Sequence, residues 1–550
     1  MSRFRYRWAA AGDVNAFFGL MLDNVADLLL TVSMLYTVCG FPVTFALQHL
    51  VPGTAVGVLV GDLLFFALAF RLARRTGKED VTAMPLGLDT PSTIGMVLFV
   101  LSDVYRAAQS EGLDVEAAAR LAWHVGICSI FISGLFKLVC MLGSSWVRRV
   151  VPRAGLLGSL AAIALVLISF LPLVDVLHNP LVGMAALAVI LTALTARIQL
   201  PFRLPGALGA LLVAGGIYYW MRATGMMEVE ELPFDPRDGL LPTGWWEVFR
   251  FEWIGAMGRA FHYLPIVIPF ALATVVGGID CTESAAAAGD DYDTNTVIGI
   301  EAVATLVAAL CGGVIQTTPY IGHPAYKAMG GRAAYTLATA LFVGGAGLLG
   351  YFSYLYLVIP RAAVFPILIF IGLEITAQSY FATVRRHYPA IALATVPALA
   401  KLVMIYVGPL LPLLERPLAE LDPRQAAALQ TVQMLSAGFI VTSLLWASAL
   451  AALIDRRLLR GALWFAIGAG CSLFGVIHSP YPSEQMFWPL QWVPGAGWRG
   501  IDFSTLGVSA GQTPYHIAVA YLLVAGLLAL WWWLARPVPL QGDSDAQTRS

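Results

Sequence analysis

The sequence predicts an all-α membrane protein built from two inverted repeats of seven helices, with two broken helices and an extra C-terminal helix pair. Only 12% of the 550 residues are charged and 59% are hydrophobic, whereas soluble domains are about 25% charged. Apolar segments near the roughly 20 residues that cross a bilayer recur along the whole chain. Two of these segments, far apart in sequence, are interrupted by Pro and Gly in the same manner.

Composition argues against several other classes of protein. The net charge of −1 gives no reason to expect a nucleic-acid partner. The six cysteines are scattered without CxxC spacing, so no disulfide, metal site or bound cofactor is expected. The stretch after the basic N-terminus carries Asp13, Asp23 and Asp27, whereas a cleavable signal peptide would need an uncharged core and a small-residue cleavage site. The first segment is therefore expected to be retained as a helix.

The predicted spans alternate with loops of different charge. Basic residues gather in alternate loops, as after the second segment with Arg74, Arg75 and Lys78. This pattern predicts a plasma (inner) membrane protein with both termini in the cytoplasm. The segments are 14–38, 51–73, 84–102, 121–142, 155–173, 180–199, 205–222, 261–280, 295–314, 319–331, 334–358, 362–381, 389–411, 430–454, 462–479 and 513–534.

The spans divide the chain into a predicted order of parts. The two repeats are expected to be separated by an extramembrane connector and followed by the extra pair. The parts are a cytoplasmic N-terminal segment at 1–13, the first repeat at 14–222, the connector at 223–260, the second repeat at 261–455, the extra helix pair at 456–540 and a disordered tail at 541–550.

Two broken segments carry the evidence for the repeat. Residues 82–91 read TAMPLGLDTP and residues 317–324 read TTPYIGHP, and each follows an acid-bearing helix at the same spacing. Repeats of seven spans are inserted in opposite directions, so discontinuous helices would face each other near the midplane, as in secondary transporters. Unwound backbone is tolerated there only if it is buried in protein or lines a cavity.

The acids of the preceding helices are the first candidate site residues. Asp280 and Glu283 lie three residues apart, and Asp23 and Asp27 lie four apart, so each pair shares a helix face. A carboxylate at the bilayer centre costs about 2.5–3.5 kcal/mol, so it must face a cavity, be protonated or be paired. We expect Asp280 and Glu283 to bind the solute. Asp23, Asp27 and Asp280 are expected to couple its movement to protons or sodium.

Structural roles compete with these functional ones. The acids of the first helix could instead pair with Lys327 or Lys401, and those of the eighth helix could be solvated at its end. Lys327 and Arg332 are expected to be topology anchors. The acidic run at 290–293 is expected to be a solvated loop.

The broken segments supply the remaining candidates. Threonine and tyrosine hydroxyls are neutral hydrogen-bonding groups, although threonine often bonds only within its own helix. Histidine can bind a solute or relay protons, although a lone histidine is commonly structural. Half-helix N-termini would favour an anionic or amide-bearing solute. The predicted solute-binding residues here are Gly87, Asp89, Thr317, Thr318, Tyr320, Gly322 and His323.

The run Thr317-Thr318-Pro319-Tyr320-Ile321 resembles the adenine/hypoxanthine/guanine (xanthine/uracil-type) permeases of the nucleobase–cation symporter group. Gly330-Gly331-Arg332, Asp280-Cys281-Thr282, Pro85-Leu86-Gly87-Leu88 and the apolar stretch 366–372 extend the resemblance. It implies the seven-plus-seven fold of the uracil permease, which sulfate and bicarbonate carriers share. In that fold the solute lies between the broken helices and the eighth helix, in a core domain that moves against a gate domain.

The chain also departs from that family. The family places a Glu directly after the Thr-Thr-Pro-Tyr-apolar run, where this chain has Gly322 and His323. The family's Gly-Leu-Asn is Gly87-Leu88-Asp89 here. The C-terminal pair exceeds fourteen spans. The resemblance therefore implies fold and transport more firmly than it implies a purine substrate.

The predicted function is a secondary active permease for a nucleobase-like or other small polar solute, driven by protons or sodium. The alternative on the same fold is an anion carrier or exchanger of the sulfate/bicarbonate type. A non-transporting membrane sensor is a further alternative. An enzyme is not expected, because HExxH and paired GxGD motifs are absent from the sequence. The predicted partners are the solute, the coupling ion and the bilayer, and a homodimer is left open.

Overall fold

The computed structural model describes residues 6–143, 153–201, 204, 206–226, 234–320, 322–408, 410, 423–481, 484, 486–493, 497–503 and 512–535. The predicted tail at 541–550 lies outside the described residues, as does the start of the N-terminal segment.

Helices make up nearly all of the regular structure. The first group comprises α1 (Gly12–Cys39), α2 (Val43–Thr76), α3 (Thr90–Met96), α4 (Ser102–Ser110), α5 (Val115–Met141), α6 (Ala154–His178), α7 (Pro180–Thr195) and α8 (Gly206–Ala223). The second comprises α9 (Leu264–Ala287), α10 (Thr294–Leu310), α11 (His323–Ala328), α12 (Ala334–Leu348), α13 (Phe352–Val358), α14 (Arg361–Phe381), α15 (Tyr388–Val407), α16 (Pro423–Ser436), α17 (Phe439–Ile454), α18 (Leu458–Leu473) and α19 (Pro514–Ala535).

The chain is a multi-pass integral membrane protein. Among the described residues, 7 helices are long and apolar enough to cross a membrane, or up to 9 if each bent pair is one span. The predicted spans 334–358 and 430–454 are bent pairs, with angles of 93° and 80°. Gly350 and Gly438 stand at these bends with φ of 79° and 68°, a conformation that glycine adopts without a Cβ penalty. Other predicted spans, such as 295–314, form shorter helices.

Two short strands interrupt the helices where the sequence predicts broken segments. Strand β1 (Leu86–Leu88) leads into α3, and strand β2 (Thr317–Pro319) is followed by α11. The order helix, helix, strand, short helix therefore occurs twice, first from α1 to α3 and again from α9 to α11. A π-helical turn, Val97–Leu101, joins α3 to α4.

Helix α2 approaches its neighbours through a stripe of glycines. A Cβ at Gly53 would lie 2.1 Å from the Cys311 carbonyl oxygen, and one at Gly57 would lie 2.6 Å from the Ala308 Cβ. Small residues at four-residue spacing let helix backbones come this close in membranes, where dispersion replaces the hydrophobic effect. This contact brings α2 against the chain that enters β2.

The chain divides into two compact units. The first comprises residues 1–149 and 168–371, and the second comprises residues 150–167 and 372–550. The first unit contains both short strands and its core is made by α1, α2, α5, α10 and α12. This division groups residues by contact, and the repeat boundaries at 14–222 and 261–455 stay a prediction.

Residues 234–260 of the predicted connector pack on the first unit. They contain the 3-10 turns Pro236–Gly239, Thr243–Arg250 and Glu252–Ala256. Trp245 donates its indole N–H to the Cys311 carbonyl at 2.6 Å, and Trp253 is buried. The connector therefore contributes to the core.

The C-terminal region of the second unit contains a hairpin that the sequence did not predict. Strands β3 (Leu490–Val493) and β4 (Gly497–Gly500) pair antiparallel. The following helix, α19, packs on α18, and its Tyr521 hydroxyl contacts the ring of the buried His478 at 2.8 Å. The C-terminal helices are therefore an integral part of this unit.

Candidate functional site

The two broken segments meet as an antiparallel ladder. Gly87 pairs with Thr318, flanked by pairs of Leu86 with Pro319 and Leu88 with Thr317. The ladder continues at both ends, where the Asp89 N–H donates to the Gln316 carbonyl and the Tyr320 N–H donates to the Pro85 carbonyl. The predicted meeting of the two segments is thus confirmed, and the two strands run in opposite directions.

Polar side chains complete the outer edge of β1. The Leu86 N–H donates to the Asp62 carboxylate at 3.2 Å, and the Leu88 N–H donates to the Asn24 side-chain oxygen at 3.1 Å. Inside a bilayer, backbone groups without a partner cost several kcal/mol each, so a two-stranded sheet needs such partners. Asp62 and Asn24 are fully buried. The second carboxylate oxygen of Asp62 has no hydrogen-bond partner in the described part of the chain.

A buried ion pair completes the outer edge of β2. The Lys137 ammonium donates to the Thr317 carbonyl at 2.9 Å and lies 2.9 Å from the Glu301 carboxylate. Neither side chain of the pair is exposed. The Thr317 N–H donates to the Thr305 hydroxyl at 3.3 Å, so Thr317 is held on both sides.

Sequence reasoning missed Asp62, Lys137 and Glu301, although a signal was present. Each is a charge inside an apolar segment, at 51–73, 121–142 and 295–314 respectively. An ionisable residue inside a spanning helix is by default a candidate for function. The three charges lie outside the Pro- and Gly-containing segments and the acid-bearing helices from which the candidate residues were predicted.

The predicted acids of α1 lie beside β1. The Asp23 carboxylate is 3.6 Å from where a Cβ at Gly87 would lie, and Asp23 is only partly buried. Asp27 is 1% exposed and accepts a hydrogen bond from the Thr90 hydroxyl at 3.0 Å. The alternative of pairing with lysine is wrong, because the ion pairs of Lys327 and Lys401 are made with other acids.

Asp89 caps the helix that follows β1. Its carboxylate accepts the Ser92 N–H at 3.0 Å and a side-chain N–H of Gln316 at 3.3 Å. Gln316 in turn accepts the Ser133 hydroxyl at 2.6 Å. The N-terminus of α3 is thus already occupied by a carboxylate of the protein itself. An incoming solute would have to displace that carboxylate in order to use this helix end.

The predicted threonines fall into two environments. Thr317 is fully buried in the contacts to Lys137 and Thr305, whereas Thr318 and Tyr320 are partly exposed. Thr318 is the cross-strand partner of Gly87, and such partners point to the same face of a sheet. Gly87, Thr318 and the Asp23 carboxylate therefore share one face, which we call the open face of the ladder.

A second cluster ties the loop after α9 to both broken segments. The Asp290 carboxylate lies 2.7 Å from the Lys327 ammonium and 3.3 Å from the His323 ring, and it accepts the Thr82 N–H at 3.1 Å. The solvated-loop interpretation of 290–293 is thus wrong for Asp290, which is 1% exposed, while Asp291 and Asp293 are exposed. Lys327 is a partner in this cluster.

Hydrogen bonding decides the charge of Asp290. Burial alone would raise the pKa of Asp290, but hydrogen bonds from His323, Lys327 and the Thr82 N–H bring that pKa below its ordinary value. These contacts therefore favour the ionised form of Asp290. His323, the first residue of α11, also contacts the Thr82 carbonyl at 3.1 Å, and its side chain is fully buried.

The two candidates on α9 differ in exposure. Asp280 is partly buried, and its neighbour Cys281 places its thiol 3.4 Å from the Pro319 carbonyl, so this turn of α9 contacts β2. Glu283, one turn later, is exposed. The structure brings Asp280 near the ladder and leaves Glu283 at the surface of the first unit. In the described part of the chain, no three His, Cys, Asp or Glu side chains are grouped as metal ligands.

Comparisons with known proteins give distant structural matches only. No family model matches the chain, and no curated protein matches it. The transmembrane domain of a cyanobacterium bicarbonate transporter, BicA, matches with a TM-score of 0.46 and 15% identity, over 72% of this chain and 95% of that one. The murine solute carrier 26 family member A9 anion transporter, in an inward-facing state, gives 0.41 and 11%, over 74% and 69%. Another SLC26A9 structure gives 0.46 and 12%, over 95% and 91%.

These matches correct the resemblance drawn from the sequence. The assignment to the nucleobase–cation symporter group is wrong, since the solved structures similar to this chain are bicarbonate and anion transporters. With TM-scores below 0.5 they assign neither a family nor a substrate to this chain. The motif at Thr317 has a structural explanation, because its first threonine and its proline hold the edge of a strand. A short motif of that kind indicates the geometry of the broken segment and does not identify the solute.

Proposed function

We propose that this chain is a secondary active transporter that moves a small anion together with protons across the membrane. The observation that carries the proposal is the antiparallel ladder of Leu86–Leu88 with Thr317–Pro319, bordered by buried carboxylates and by one buried lysine. We further propose that residues 14–222 and 261–455 are the two inverted repeats, since the order of elements around the ladder occurs twice.

The ladder supports transport because of where its polar groups lie. Unwound backbone at membrane depth is stable only if it is buried in protein or lines a cavity. The outer edges of the ladder are satisfied by Asn24, Asp62, Thr305 and Lys137. The partly exposed Thr318 on the open face can meet a solute without breaking those edges. The solute would thus bind to the open face.

The carboxylates support proton coupling. Asp23, Asp27, Asp62 and Asp89 surround β1, whereas the nearest cation in the ladder's hydrogen-bond network, Lys137, already pairs with Glu301. Several unpaired carboxylates are costly in a low-dielectric interior unless protons bind to them. When the open face is exposed to the more acidic side of the membrane, these carboxylates would bind protons and the open face would become less negative.

The lysine supports an anion as the solute. If the carboxylates are ionised, the site is negative and repels anions. Each proton that binds removes a negative charge, and protonation of Glu301 would leave the Lys137 charge unbalanced. An unbalanced buried charge is strongly unfavourable. Entry of an anion with the protons restores neutrality, so the two would move together.

A neutral polar solute is the second candidate. The Asp89 carboxylate already occupies the N-terminus of α3, so this positively polarised helix end cannot also bind an anionic solute. A neutral solute could instead use Thr318 and the carboxylates as hydrogen-bonding groups. Such a carrier would also depend on protons or on sodium, and its uptake would be indifferent to the charge of Lys137.

Flux measurements in proteoliposomes test the proposal. Uptake of labelled bicarbonate, sulfate and uracil would be compared with and without an inward proton gradient, and with a sodium gradient at constant pH. We expect proton-driven uptake of one of the anions. We also expect its loss in D23N and D89N, and its retention in D175N, an exposed acid of the same unit. Uptake of uracil alone, or anion flux indifferent to pH, would contradict the proposal.

A further inference from the structure

One face of α2 carries an open groove that the transport site does not use. The groove has a volume of about 540 Å³ and is lined by Phe66, Ala67, Phe70, Arg71 and Arg74. Each of these positions has another of the five three or four residues away along the helix, so together they form a single stripe on its surface. The stripe is aromatic at one end and basic at the other.

The aromatic end has a defined shape. The rings of Phe66 and Phe70 lie 5.0 Å apart, and the Trp8 ring packs edge-on against Phe66 with 5.9 Å between centroids. Ala67 is exposed between the two phenylalanines and leaves the floor of the groove open. An aromatic surface with a small residue at its centre accommodates a hydrocarbon chain.

The basic end carries two guanidinium groups that make no hydrogen bond to another described residue. Arg71 and Arg74 are exposed, and neither makes a hydrogen bond or a close ion pair with a described residue, although Arg71 is near enough to the exposed Asp293 to help lower the pKa of that carboxyl. Two neighbouring arginines differ, since Arg75 donates to the Asp291 carbonyl at 3.1 Å and Arg7 pairs with Glu79 at 3.3 Å. Two unpaired guanidiniums one turn apart favour a ligand with several anionic oxygens, such as a phosphate.

We propose that this groove binds an anionic phospholipid, with its phosphate on Arg71 and Arg74 and the start of an acyl chain on Phe66 and Phe70. The basic end lies in the last two turns of α2, close to its end at Thr76, where a spanning helix reaches the lipid headgroups. The aromatic end lies toward the interior of the span, where the acyl chains begin. The order of side chains along α2 therefore matches the order of groups in a lipid.

Binding of added lipid by the purified full-length chain in a neutral detergent tests the proposal. Tryptophan fluorescence and thermal unfolding would be followed while phosphatidylglycerol, phosphatidylcholine or inorganic phosphate is titrated. The variants are R71Q/R74Q, the charge-retaining R71K/R74K, and R222Q as a control, since Arg222 is an exposed arginine on α8. Each basic side chain near an anionic lipid is worth about fivefold in affinity.

We expect phosphatidylglycerol to bind and to raise the unfolding temperature of the wild type, R71K/R74K and R222Q. In R71Q/R74Q its affinity should fall about thirtyfold. Equal binding by R71Q/R74Q would overturn the proposal, and so would equal binding of phosphatidylcholine. Full stabilisation by inorganic phosphate alone would overturn it as well, because a lipid would then not be the ligand. If R71Q/R74Q does not fold, loss of binding in R71A alone, compared with R222Q, decides the question.

Discussion

Lys137 and Glu301 form an ion pair with 2.9 Å between ammonium and carboxylate, and neither side chain is exposed. The same ammonium donates to the Thr317 carbonyl, so the pair is fixed directly against the second broken segment. The carboxylate approaches α9 closely, because a Cβ at Gly278 would lie 2.9 Å from it. The pair thus joins three helices and one strand, and it combines a structural role with the charge balance that we propose for transport.

Changing one or both partners of this pair separates the two roles. We expect K137M alone to destabilise the protein by about 3–5 kcal/mol, because it leaves Glu301 buried without its counter-charge. The double variant K137M/E301Q should regain most of that stability, since removal of both buried charges is often nearly neutral. Thermal unfolding in detergent gives the stability, and proteoliposome flux gives the transport.

The proposed function predicts that K137M/E301Q folds but does not carry an anion. Recovery of both stability and anion flux in the double variant would mean that the pair is only structural. E301Q alone serves as the matched single variant. We expect it to lose stability, because Lys137 stays buried without its counter-charge, and to lose the proton dependence of flux.

Asp62 is expected to act mainly as a hydrogen-bond acceptor for β1. D62N retains an oxygen that can accept the Leu86 N–H, whereas D62A leaves that N–H buried without a partner. We expect D62A to lose about 1–3 kcal/mol of stability and D62N to lose much less. Thermal unfolding of the two variants measures the difference. Equal losses in both would show that the charge of Asp62, and not its acceptor oxygen, stabilises the ladder.

Asp290 predicts an acid-dependent loss of stability. Its pKa is lower in the folded chain than in the unfolded one, so the unfolded state takes up protons first as pH falls. Its contribution is therefore complete above the ordinary Asp pKa of about 3.9 and is lost as pH falls below that value.

The matched variants D290N and D291N test this assignment, since Asp291 is exposed in the same loop. We expect D290N to lose about 3 kcal/mol at neutral pH, because Lys327 loses a buried partner, and to respond less to acid than the wild type does. D291N should behave as the wild type in thermal unfolding between pH 3 and 7. Identical acid dependence in D290N and the wild type would exclude Asp290 as the group responsible.

The broken segments were predictable because their cause is local. Pro and Gly in 82–91 and in 317–324 interrupt an apolar run, and such backbone must be buried against something polar. The expectation that they face each other followed from the predicted repeat. Lys137 and Glu301 are each visible in the sequence as a charge inside an apolar segment, but their partnership depends on the packing of α5 against α10, which no local pattern encodes. Asp290 was misassigned because an acidic run usually indicates solvent, and the hydrogen bond from Thr82 arrives from 208 residues away.

The glycine stripe of α2 gives a prediction about packing. In G53A the new Cβ would lie within 2.1–2.5 Å of backbone atoms of Cys311, Gly312 and Gly313, none of which can move freely. We expect a loss of about 1–3 kcal/mol from this overpacking. The control is G216A on α8, where nothing lies within 4 Å of the new Cβ. That change should be neutral or stabilising by up to about 1 kcal/mol through helix propensity. Similar unfolding temperatures for the two variants would contradict the close contact of α2 with the chain that enters β2.

Thr317 and Thr318 are adjacent in the sequence, but the same change to valine is expected to affect stability at Thr317 and solute binding at Thr318. Thr317 is fully buried, and its hydroxyl lies 3.2 Å from that of Thr305, so T317V should lower stability by about 1–3 kcal/mol through the lost partner. Thr318 lies on the open face, so T318V should leave thermal unfolding unchanged and raise the KM of the transported solute. The size of that change follows from one hydrogen bond, about 0.5–1.5 kcal/mol, or roughly twofold to tenfold in KM. Loss of stability in T318V with an unchanged KM would place the solute away from the open face of the ladder.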